Sequence, residues 1–265
     1  MSERETSEVE PLDDPQVSAY LARIGASNLP EDGAATLRDL QRRHLQTTPF
    51  ENLTIHLGEP ISLSVGDLFD KIVTGRRGGF CYELNGLLAS LLTSLGFGVT
   101  LLGGGVYGPR GLGPPFDHLA LLVDGWLVDV GFGRHSAYPL RLESGVEQPD
   151  PCGTFTVNTL PGGDIDVSRD GAPQYRLESR PRTLPDFGPT CWWQQTRPGS
   201  HFRKSPVCSR LTTTFGLITL ADHTLISSDG GDRKETVLVD DEELLAAYRD
   251  HFGIVLDRPP VPLDG

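Results

Sequence analysis

The sequence has few sulfur-containing residues and no long apolar run. It contains one methionine and four cysteines, Cys81, Cys152, Cys191 and Cys208, none of them in a CxxC pair, so neither a disulfide framework nor a zinc site is expected. No apolar run approaches 18 residues, and residues 1–10 are charged without an apolar core, so neither a transmembrane span nor a signal peptide is expected. These features predict a soluble cytoplasmic protein with reduced thiols and no metal.

Positive charge is also scarce. Twenty-three Lys and Arg face 36 Asp and Glu, which gives a formal net charge of −13 and a pI of about 4.9. This charge disfavours nucleic acid and anionic membranes as partners. A small anionic ligand would need a local basic patch. The 265 residues show no internal repeat and suffice for one large domain or two to three small ones.

Hydrophobic spacing predicts helices first and strands later. The 31 glycines and 21 prolines indicate many turns after the first hundred residues. Residues 1–13 and 258–265 are expected to be flexible tails. The predicted helices begin at 14, 34, 64, 81 and 241. The predicted strands are 99–102, 119–123, 126–130, 153–158, 164–169, 173–178, 211–220 and 223–226.

One glycine-rich segment places a cysteine at the start of a helix. The segment reads Arg77-Gly78-Gly79-Phe80-Cys81-Tyr82-Glu83-Leu84-Asn85, and leucines at helical spacing follow as far as Leu92. Cys81 therefore falls in the first turn, where unpaired backbone N–H groups favour an anion and stabilise a thiolate. This position suits a nucleophile and a structural core cysteine equally well.

An Asp-Gly turn aligns a histidine with an aspartate. Asp124-Gly125 lies between two apolar runs, a strong signal for a two-residue β-hairpin. With Val123 opposite Trp126, His118 and Asp129 become diagonal neighbours on one face of the sheet, roughly 7–8 Å apart between backbones. A carboxylate in an otherwise apolar strand needs a partner, because desolvation of an unpaired charge costs several kcal/mol. Each residue alone is more simply a solvent-facing side chain, but the shared face favours a functional pair.

Cys81, His118 and Asp129 have the residue types of a nucleophile, a base and an orienting group. Asp129 would orient the imidazole of His118, which would take the thiol proton from Cys81. The arrangement requires the helix of Cys81 to pack against the predicted hairpin.

These segments and several others resemble the arylamine N-acetyltransferase family. The segment around Cys81 resembles the nucleophile motif of that family, and this match is quite specific. Weaker matches occur in consistent order across residues 15–255. They are Pro49-Phe50-Glu51-Asn52-Leu53, Asp117-His118-Leu119, Val128-Asp129-Val130-Gly131-Phe132-Gly133, Ser200-His201-Phe202, Cys208-Ser209-Arg210 and Phe252-Gly253-Ile254.

The resemblance implies an α+β fold with a cysteine-protease-like Cys-His-Asp arrangement. Its parts would be an N-terminal helical bundle (1–97), a central β-barrel-like domain (98–200) and a C-terminal α/β lid (201–265). It also implies acetyl-CoA as the acyl donor, no metal, and a ping-pong reaction that acetylates arylamines, arylhydrazines or N-hydroxyarylamines, as in xenobiotic metabolism. Cys81 would be the acetylated nucleophile, His118 the base and Asp129 its orienting group, while Phe50 and Phe132 would line the acceptor pocket.

Around the nucleophile, Arg77 and Glu51 are expected to form an ion pair that braces the cysteine loop. Gly78 and Gly79 are expected to permit a tight turn. The backbone N–H of Cys81 is the expected oxyanion donor.

Other residues are expected to have peripheral roles. Arg203 and Lys204 are candidates for binding the phosphates of coenzyme A, whereas Trp192-Trp193 is expected in the core, with a position flanking the coenzyme cleft as the alternative. The other cysteines are expected to be structural and the other histidines to lie on the surface.

The segment 103–115, rich in glycine and proline, does not clearly match the family. It leaves open an amide synthase, a relative that releases a polyketide chain from a carrier protein by cyclising it onto an aryl amine. The sequence is also compatible with a binding protein without turnover and with a cysteine hydrolase.

Overall fold

The structure, a computed structural model, describes residues 9–263. The helices within this range cluster in the first third and recur near the end of the chain. They are α1 Asp14–Ile24, α2 Gly33–Thr47, α3 Leu53–His56, α4 Val65–Phe69, α5 Cys81–Ser94, α6 Gly188–Thr196, α7 His201–Lys204 and α8 Asp241–Ala247. A π-helical turn extends both α4 and α8, to Thr74 and Phe252 respectively.

Most strands lie between residues 99 and 237. They are β1 Phe50–Glu51, β2 Val99–Gly108, β3 Gly111–Leu112, β4 His118–Val123, β5 Trp126–Val128, β6 Leu140–Arg141, β7 Glu147–Asp150, β8 Gly153–Thr159, β9 Ile165–Arg169, β10 Ala172–Arg182, β11 Val207–Leu211, β12 Leu217–Ala221, β13 Thr224–Asp229 and β14 Asp232–Val237.

Helix α5 forms the centre of the main core. Residues 81–92 of this helix are all buried, and it packs against strands β4 and β2. Its start is fixed by Glu83, whose carboxylate accepts the backbone N–H of Phe80 at 3.2 Å. Because a carboxylate in the first turn also complements the helix dipole, the sequence places this helix start firmly.

A nine-stranded antiparallel sheet forms the barrel-like part. Its order is β6-β5-β4-β2-β10-β9-β8-β7, and β3 pairs with β2. A bridge between Ser144 and Val157 brings the β6 end of the sheet to β8, so the sheet nearly closes. The expected α+β fold class is confirmed by this arrangement together with the solved structures reported below.

The β4–β5 hairpin has the predicted register. Val123 pairs with Trp126 and Leu121 with Val128, and the turn residues Asp124 and Gly125 have φ angles of 46° and 86°. Positive φ at both positions is the mark of a type I′ turn, which matches the right-handed strand twist. The Asp-Gly prediction is therefore confirmed.

The segment 103–115 is part of the sheet. Three glycines, at 103–105, lie within β2, where a Cβ at Gly104 would come within 2.2 Å of the carbonyl oxygen of Arg176. Gly104 is required because β2 and β10 approach closely, and a Cβ at Gly105 would come within 2.6 Å of the carbonyl oxygen of Gly113. The glycine content thus reflects strand packing and a short turn leading into β3.

A second, five-stranded antiparallel sheet has the order β1-β11-β12-β13-β14. β1 comes from the helical part of the chain and pairs with β11, so the two regions share one sheet. The single strand predicted for 211–220 is wrong. It is two strands joined by a tight turn in which Phe215 has a φ of 65°.

The prediction of flexible tails is also wrong within the described range. Leu12 is buried and its N–H donates to Ser94 Oγ at 2.7 Å, and Asp13 caps α1. Near the other end, the N–H of Val261 donates to the carbonyl of His56 at 3.1 Å. Residues 1–8 and 264–265 lie outside the described range. Within residues 9–263 no helix has the length and apolar character to cross a membrane.

Candidate active site

The loop before Cys81 is fixed by pairing with β1. The N–H of Glu51 donates to the carbonyl of Gly79 at 2.9 Å. A Cβ at Gly78 would lie 1.9 Å from the carbonyl oxygen of Pro49. The two glycines of the motif are therefore required by close packing, whereas the left-handed residue of this loop is Arg76, with a φ of 52°.

Two buried carboxylates brace the same loop. Arg77 forms the predicted ion pair with Glu51 at 2.9 Å, and Lys71 pairs with Glu83 at 2.6 Å. Burial would raise the pKa of Glu51, but the charges of Lys71 and Arg77 lower it overall. The expected ion pair is confirmed, and it belongs to a larger network that holds the first turn of α5.

His118 and Asp129 meet as the hairpin register requires. The distance between His118 Nε2 and Asp129 Oδ2 is 2.8 Å, and both side chains are buried. Burial would raise the pKa of Asp129, but the charge and hydrogen bond of His118 lower it to about 2. Asp129 is therefore ionised and can only accept, so Nε2 of His118 donates to it, and in the neutral imidazole Nδ1 then presents a lone pair.

Asn85 links the nucleophile helix to this pair. Its Nδ2 donates to Asp129 Oδ1 at 2.9 Å and to the carbonyl of Leu119 at 2.7 Å. Its Oδ1 accepts the N–H of Val130 at 2.9 Å. No role was predicted for Asn85, although it belongs to the nucleophile motif. Its position four residues after Cys81 places both on one helix face, a signal that was available.

Gly131 brings the backbone after Asp129 directly onto the nucleophile. A Cβ at Gly131 would lie 2.6 Å from Cys81 Cα and 2.7 Å from Asn85 Nδ2. Its N–H donates to Asp129 Oδ1 at 2.9 Å. The helix of Cys81 therefore packs against the hairpin, as the proposed arrangement of the three residues requires.

The thiol of Cys81 differs from the sequence-based expectation. Burial raises its pKa well above the ordinary value, a backbone hydrogen bond from Leu119 lowers it, and the charge of Asp129 raises it further. The helix N-terminus does not by itself yield a thiolate, because desolvation outweighs it. Deprotonation of Cys81 therefore requires a group that accepts the thiol proton.

Aromatic rings surround His118. Phe132 lies edge-on at 5.1 Å between ring centroids, and Tyr175 lies at 4.9 Å. The Tyr175 hydroxyl is 3.0 Å from Nε2 of the buried His135. Phe50, half-buried, lies 6.5 Å from Phe202. The prediction that the other histidines are surface residues is wrong for His135, and also for His44 and His56, which are buried.

A cavity of about 680 Å³ opens beside the site. Its wall includes Asp117, the neighbour of His118, and Phe202, whose ring lies 5.4 Å from that of Phe80. Gln194 Nε2 donates to Asp117 Oδ1 at 2.7 Å. Burial raises the pKa of Asp117. The cavity therefore reaches the residue that directly precedes His118, and one of its lining rings contacts Phe80, which directly precedes Cys81.

The cavity has a cationic side. Arg110, Arg197 and Lys204 line it, and within residues 9–263 none of the three pairs with a carboxylate. Arg203 instead donates to the carbonyl of Gln195 at 2.9 Å. These residues form a local basic patch on a chain whose net charge is −13.

The tryptophan pair lies at the cavity and on the surface. Trp193 lines the cavity, beneath the guanidinium of Arg197 at 4.5 Å, and Trp192 is 65% exposed. The prediction that both are core residues is therefore wrong. Helix α6 is short and only partly covered, so just two of its side chains, Cys191 and Gln194, are buried.

Among residues 9–263, no three His, Cys, Asp or Glu side chains are grouped so that they could hold a metal ion. The four cysteines are free thiols. The site is thus built from one thiol, one imidazole, one carboxylate and the groups that position them.

Comparison with known proteins identifies the family. The sequence model of the N-acetyltransferase family matches residues 34–261. Arylamine N-acetyltransferase 1 of Homo sapiens is 33% identical over 283 residues, which cover 94% of this chain and 97% of that protein. A pineal gland isozyme of arylamine N-acetyltransferase from Gallus gallus is 32% identical, over 92% of this chain and 96% of its own length.

Solved structures agree with this result. The arylamine N-acetyltransferase of Salmonella typhimurium superposes with a TM-score of 0.84 at 30% identity and covers 90% of this chain and 91% of its own. The Mycobacterium marinum enzyme, solved in complex with CoA, has a TM-score of 0.81 at 30% identity and covers 90% of this chain and 92% of its own. The chain belongs to the arylamine N-acetyltransferase family and is an acyltransferase.

Proposed function

We propose that the protein transfers acetyl groups from acetyl-CoA to arylamines, arylhydrazines or N-hydroxyarylamines through an acetyl-cysteine intermediate at Cys81. The observation that carries the proposal is the packing of the nucleophile helix against the hairpin that holds the His118–Asp129 pair, 2.8 Å apart. Asn85 and Gly131 connect the two elements. The cavity next to them supplies room for a thioester donor.

In the first half-reaction, Nδ1 of His118 takes the proton of the Cys81 thiol. The thiolate attacks the carbonyl carbon of the thioester, and a tetrahedral oxyanion forms. The N–H of Cys81 begins the helix and has no acceptor within it, so it is free to donate to that oxyanion. When the bond to the coenzyme sulfur breaks, His118 returns the proton to the leaving thiolate.

In the second half-reaction, the acceptor amine attacks the acetyl-cysteine. His118 takes a proton from the attacking nitrogen and passes it to the Cys81 sulfur, which leaves as the amide forms, so the thiol is restored. Asp129 stays ionised throughout and stabilises each imidazolium. The same two groups therefore serve both half-reactions, as a ping-pong course requires.

The cavity supports acetyl-CoA as the donor. Coenzyme A carries phosphates, and Arg110, Arg197 and Lys204 are cations without carboxylate partners in the described chain. Trp193 offers an aromatic face on the same wall. We propose that these residues contact the phosphorylated part of the donor while its thioester reaches past Asp117 to Cys81.

We propose Phe50 and Phe132 as acceptor-binding residues. Phe132 contacts the ring of His118, and Phe50 lies against Gly133, whose Cβ would come 3.9 Å from the Phe50 ring. Both are half-buried, so their rings can offer an apolar surface to an aryl group close to the nucleophile. The chemistry also needs a free thiol, in keeping with a reducing compartment such as the cytoplasm.

The proposal is tested by measuring both the complete reaction and the first half-reaction, in which coenzyme A is released without an acceptor. The wild type should release coenzyme A from acetyl-CoA in one burst without acceptor, and continuously once an arylamine is added. Cys81→Ala should show neither, whereas Cys152→Ala, which removes a half-buried thiol elsewhere, should retain both. Continuous turnover by a folded Cys81→Ala protein would refute the mechanism. A burst with a longer acyl thioester but none with acetyl-CoA would favour the amide synthase.

A further inference from the structure

Four arginines line a second cavity, of about 270 Å³, which is remote from the donor site. Arg249 pairs with Asp250, and the other three are Arg23 of α1, Arg76 of the loop and Arg210 of β11. We call these three residues the arginine cluster. The cavity shares no lining residue with the 680 Å³ cavity. It is therefore a separate feature that the proposed transfer reaction does not use.

Two members of the cluster have structural bonds that leave some of their donors unused. Arg23 donates to the carbonyls of Ile72, Thr47 and Arg76 at 3.1–3.4 Å. Arg210 donates to the carbonyls of Gln46 and His251 at 2.7 Å. The Nε of Arg210 is buried and has no hydrogen-bond partner within residues 9–263. Since a guanidinium has five N–H donors, each of these side chains has more to offer than its protein partners accept.

Arg76 has an uncommitted side chain. It is exposed, and its guanidinium makes no hydrogen bond or ion pair with any residue of the described chain. Its φ of 52° is in the left-handed region. This backbone conformation costs more energy for arginine than it would for glycine or asparagine. The cation is thus held at the cavity in spite of a backbone cost.

The cluster has little compensating negative charge among the described residues. Among the described residues that line the cavity, Asp250 is the one with a carboxylate, and this carboxylate pairs with Arg249 at 2.9 Å. Burial lowers the pKa of Arg23 to about 10, and the charges of Arg76 and Arg210 add to that effect. Three guanidinium groups that repel one another are unusual in a chain with a net charge of −13.

We propose that the arginine cluster binds an oxyanion of the phosphate class. A phosphate offers several acceptor oxygens around one centre and can receive N–H donors from three guanidinium groups at once. Its charge offsets the mutual repulsion of the cluster. The cavity volume accommodates a free phosphate or the phosphoryl end of a nucleotide.

An anion at this cluster would act on the nucleophile loop. Arg76 directly precedes Arg77, which pairs with Glu51, and the chain then runs through the two glycines to Cys81. The carbonyl of Arg76 is held by Arg23. Binding at the cluster therefore stabilises the segment that presents the nucleophile, whether or not acetyl transfer is the reaction.

Calorimetric titration with inorganic phosphate tests the site at constant ionic strength, with chloride as the balancing anion. The wild type should bind one phosphate per chain. Arg76→Gln should weaken phosphate binding at least about tenfold, because one charge-assisted contact is lost. The affinity of Arg76→Lys should lie between those of the wild type and Arg76→Gln, because lysine keeps the charge but lacks the paired N–H donors of the guanidinium. The matched control Arg180→Gln changes an exposed arginine on β10 and should bind as the wild type does.

Arg76 makes no side-chain contact that folding needs, so both variants should melt at the wild-type temperature without phosphate. No binding by the wild type, or equal affinity in Arg76→Gln and Arg180→Gln, would overturn the proposal. Adenosine diphosphate as a second probe distinguishes the sources of the phosphoryl group. If its affinity also falls in Arg76→Gln, the site takes the phosphoryl end of a larger ligand, and if only phosphate loses affinity, the site takes the free ion.

Discussion

Replacing Asp129 by asparagine removes one negative charge and leaves the side-chain shape almost unchanged. Oδ1 of the carboxylate accepts hydrogen bonds from Asn85 at 2.9 Å and from the N–H of Gly131 at 2.9 Å. An asparagine can keep both through its carbonyl oxygen. Its NH₂ group then faces His118 Nε2, which must become an acceptor. The imidazole proton therefore moves to Nδ1, the nitrogen that should receive the proton of Cys81.

The expected loss of turnover is large because the histidine is in the wrong tautomer. An aspartate-to-asparagine change in a comparable triad costs about 10³- to 10⁴-fold, or about 4–5.5 kcal/mol of transition-state free energy. The loss of stability should be smaller, about 3 kcal/mol at most, since one charge-assisted hydrogen bond is lost. Turnover would be followed by release of the coenzyme thiol, and folding by thermal and denaturant unfolding.

Asp150→Asn provides the matched control for this substitution. Asp150 accepts the backbone N–H groups of Ala137, Tyr138 and Cys152 and lies outside the proposed catalytic arrangement. It should lose some stability and keep its turnover. Near-wild-type turnover by a folded Asp129→Asn protein would show that Asp129 does not set the tautomer of His118.

Three further predictions concern the thiol, the packing and the acid response. Iodoacetamide should alkylate Cys81 faster than Cys152 at pH 7, because the proposed mechanism pairs Cys81 with the imidazole of His118, whereas burial and the Asp150 carboxylate raise the pKa of Cys152 to about 11. Equal rates would contradict proton transfer to imidazole. Gly131→Ala should lower the free energy of unfolding by about 1–3 kcal/mol and remove most of the turnover, because the added Cβ would lie 2.6 Å from Cys81 Cα. The control Gly188→Ala should be nearly neutral, since a Cβ at this position would meet no atom within 4 Å. Burial lowers the pKa of His44 to about 3, so below about pH 6.5 the unfolded chain binds this proton and the native chain does not, and the free energy of unfolding decreases as the pH is lowered. His44→Phe should reduce that decrease by about 1.4 kcal/mol per pH unit. An unchanged slope would show that His44 is not neutral in the native protein.

Local signals predicted the hairpin and the nucleophile helix. The Asp-Gly pair dictates a two-residue turn because both positions need positive φ, and that register alone places His118 and Asp129 on one face. The glycine-rich segment followed by leucines at helical spacing placed Cys81 in the first turn. Both signals depend on residues within a few positions of each other, so no tertiary information was needed.

Long-range packing decided what the sequence did not predict. The raised pKa of Cys81 arises from burial against the hairpin, which a helix-dipole argument omits. Gly104 of β2 is explained by the approach of β10, about 70 positions further along the chain. His44 is buried against Tyr20, and its ring has no hydrogen-bond partner within residues 9–263. The division into units at 97 and 200 stays a prediction, and the pairing of β1 with β11 joins the first unit to the last.

Intact-mass spectrometry after incubation with acetyl-CoA tests the central claim most directly. The account predicts one acetyl group per chain, located on Cys81 by peptide mapping, which disappears when an arylamine is added and yields the acetylated amine in equal amount. The adduct should be absent from Cys81→Ala and present in Cys152→Ala. An unmodified wild-type protein that still turns over acetyl-CoA and arylamine, or an acetyl group carried on another residue, would contradict the account.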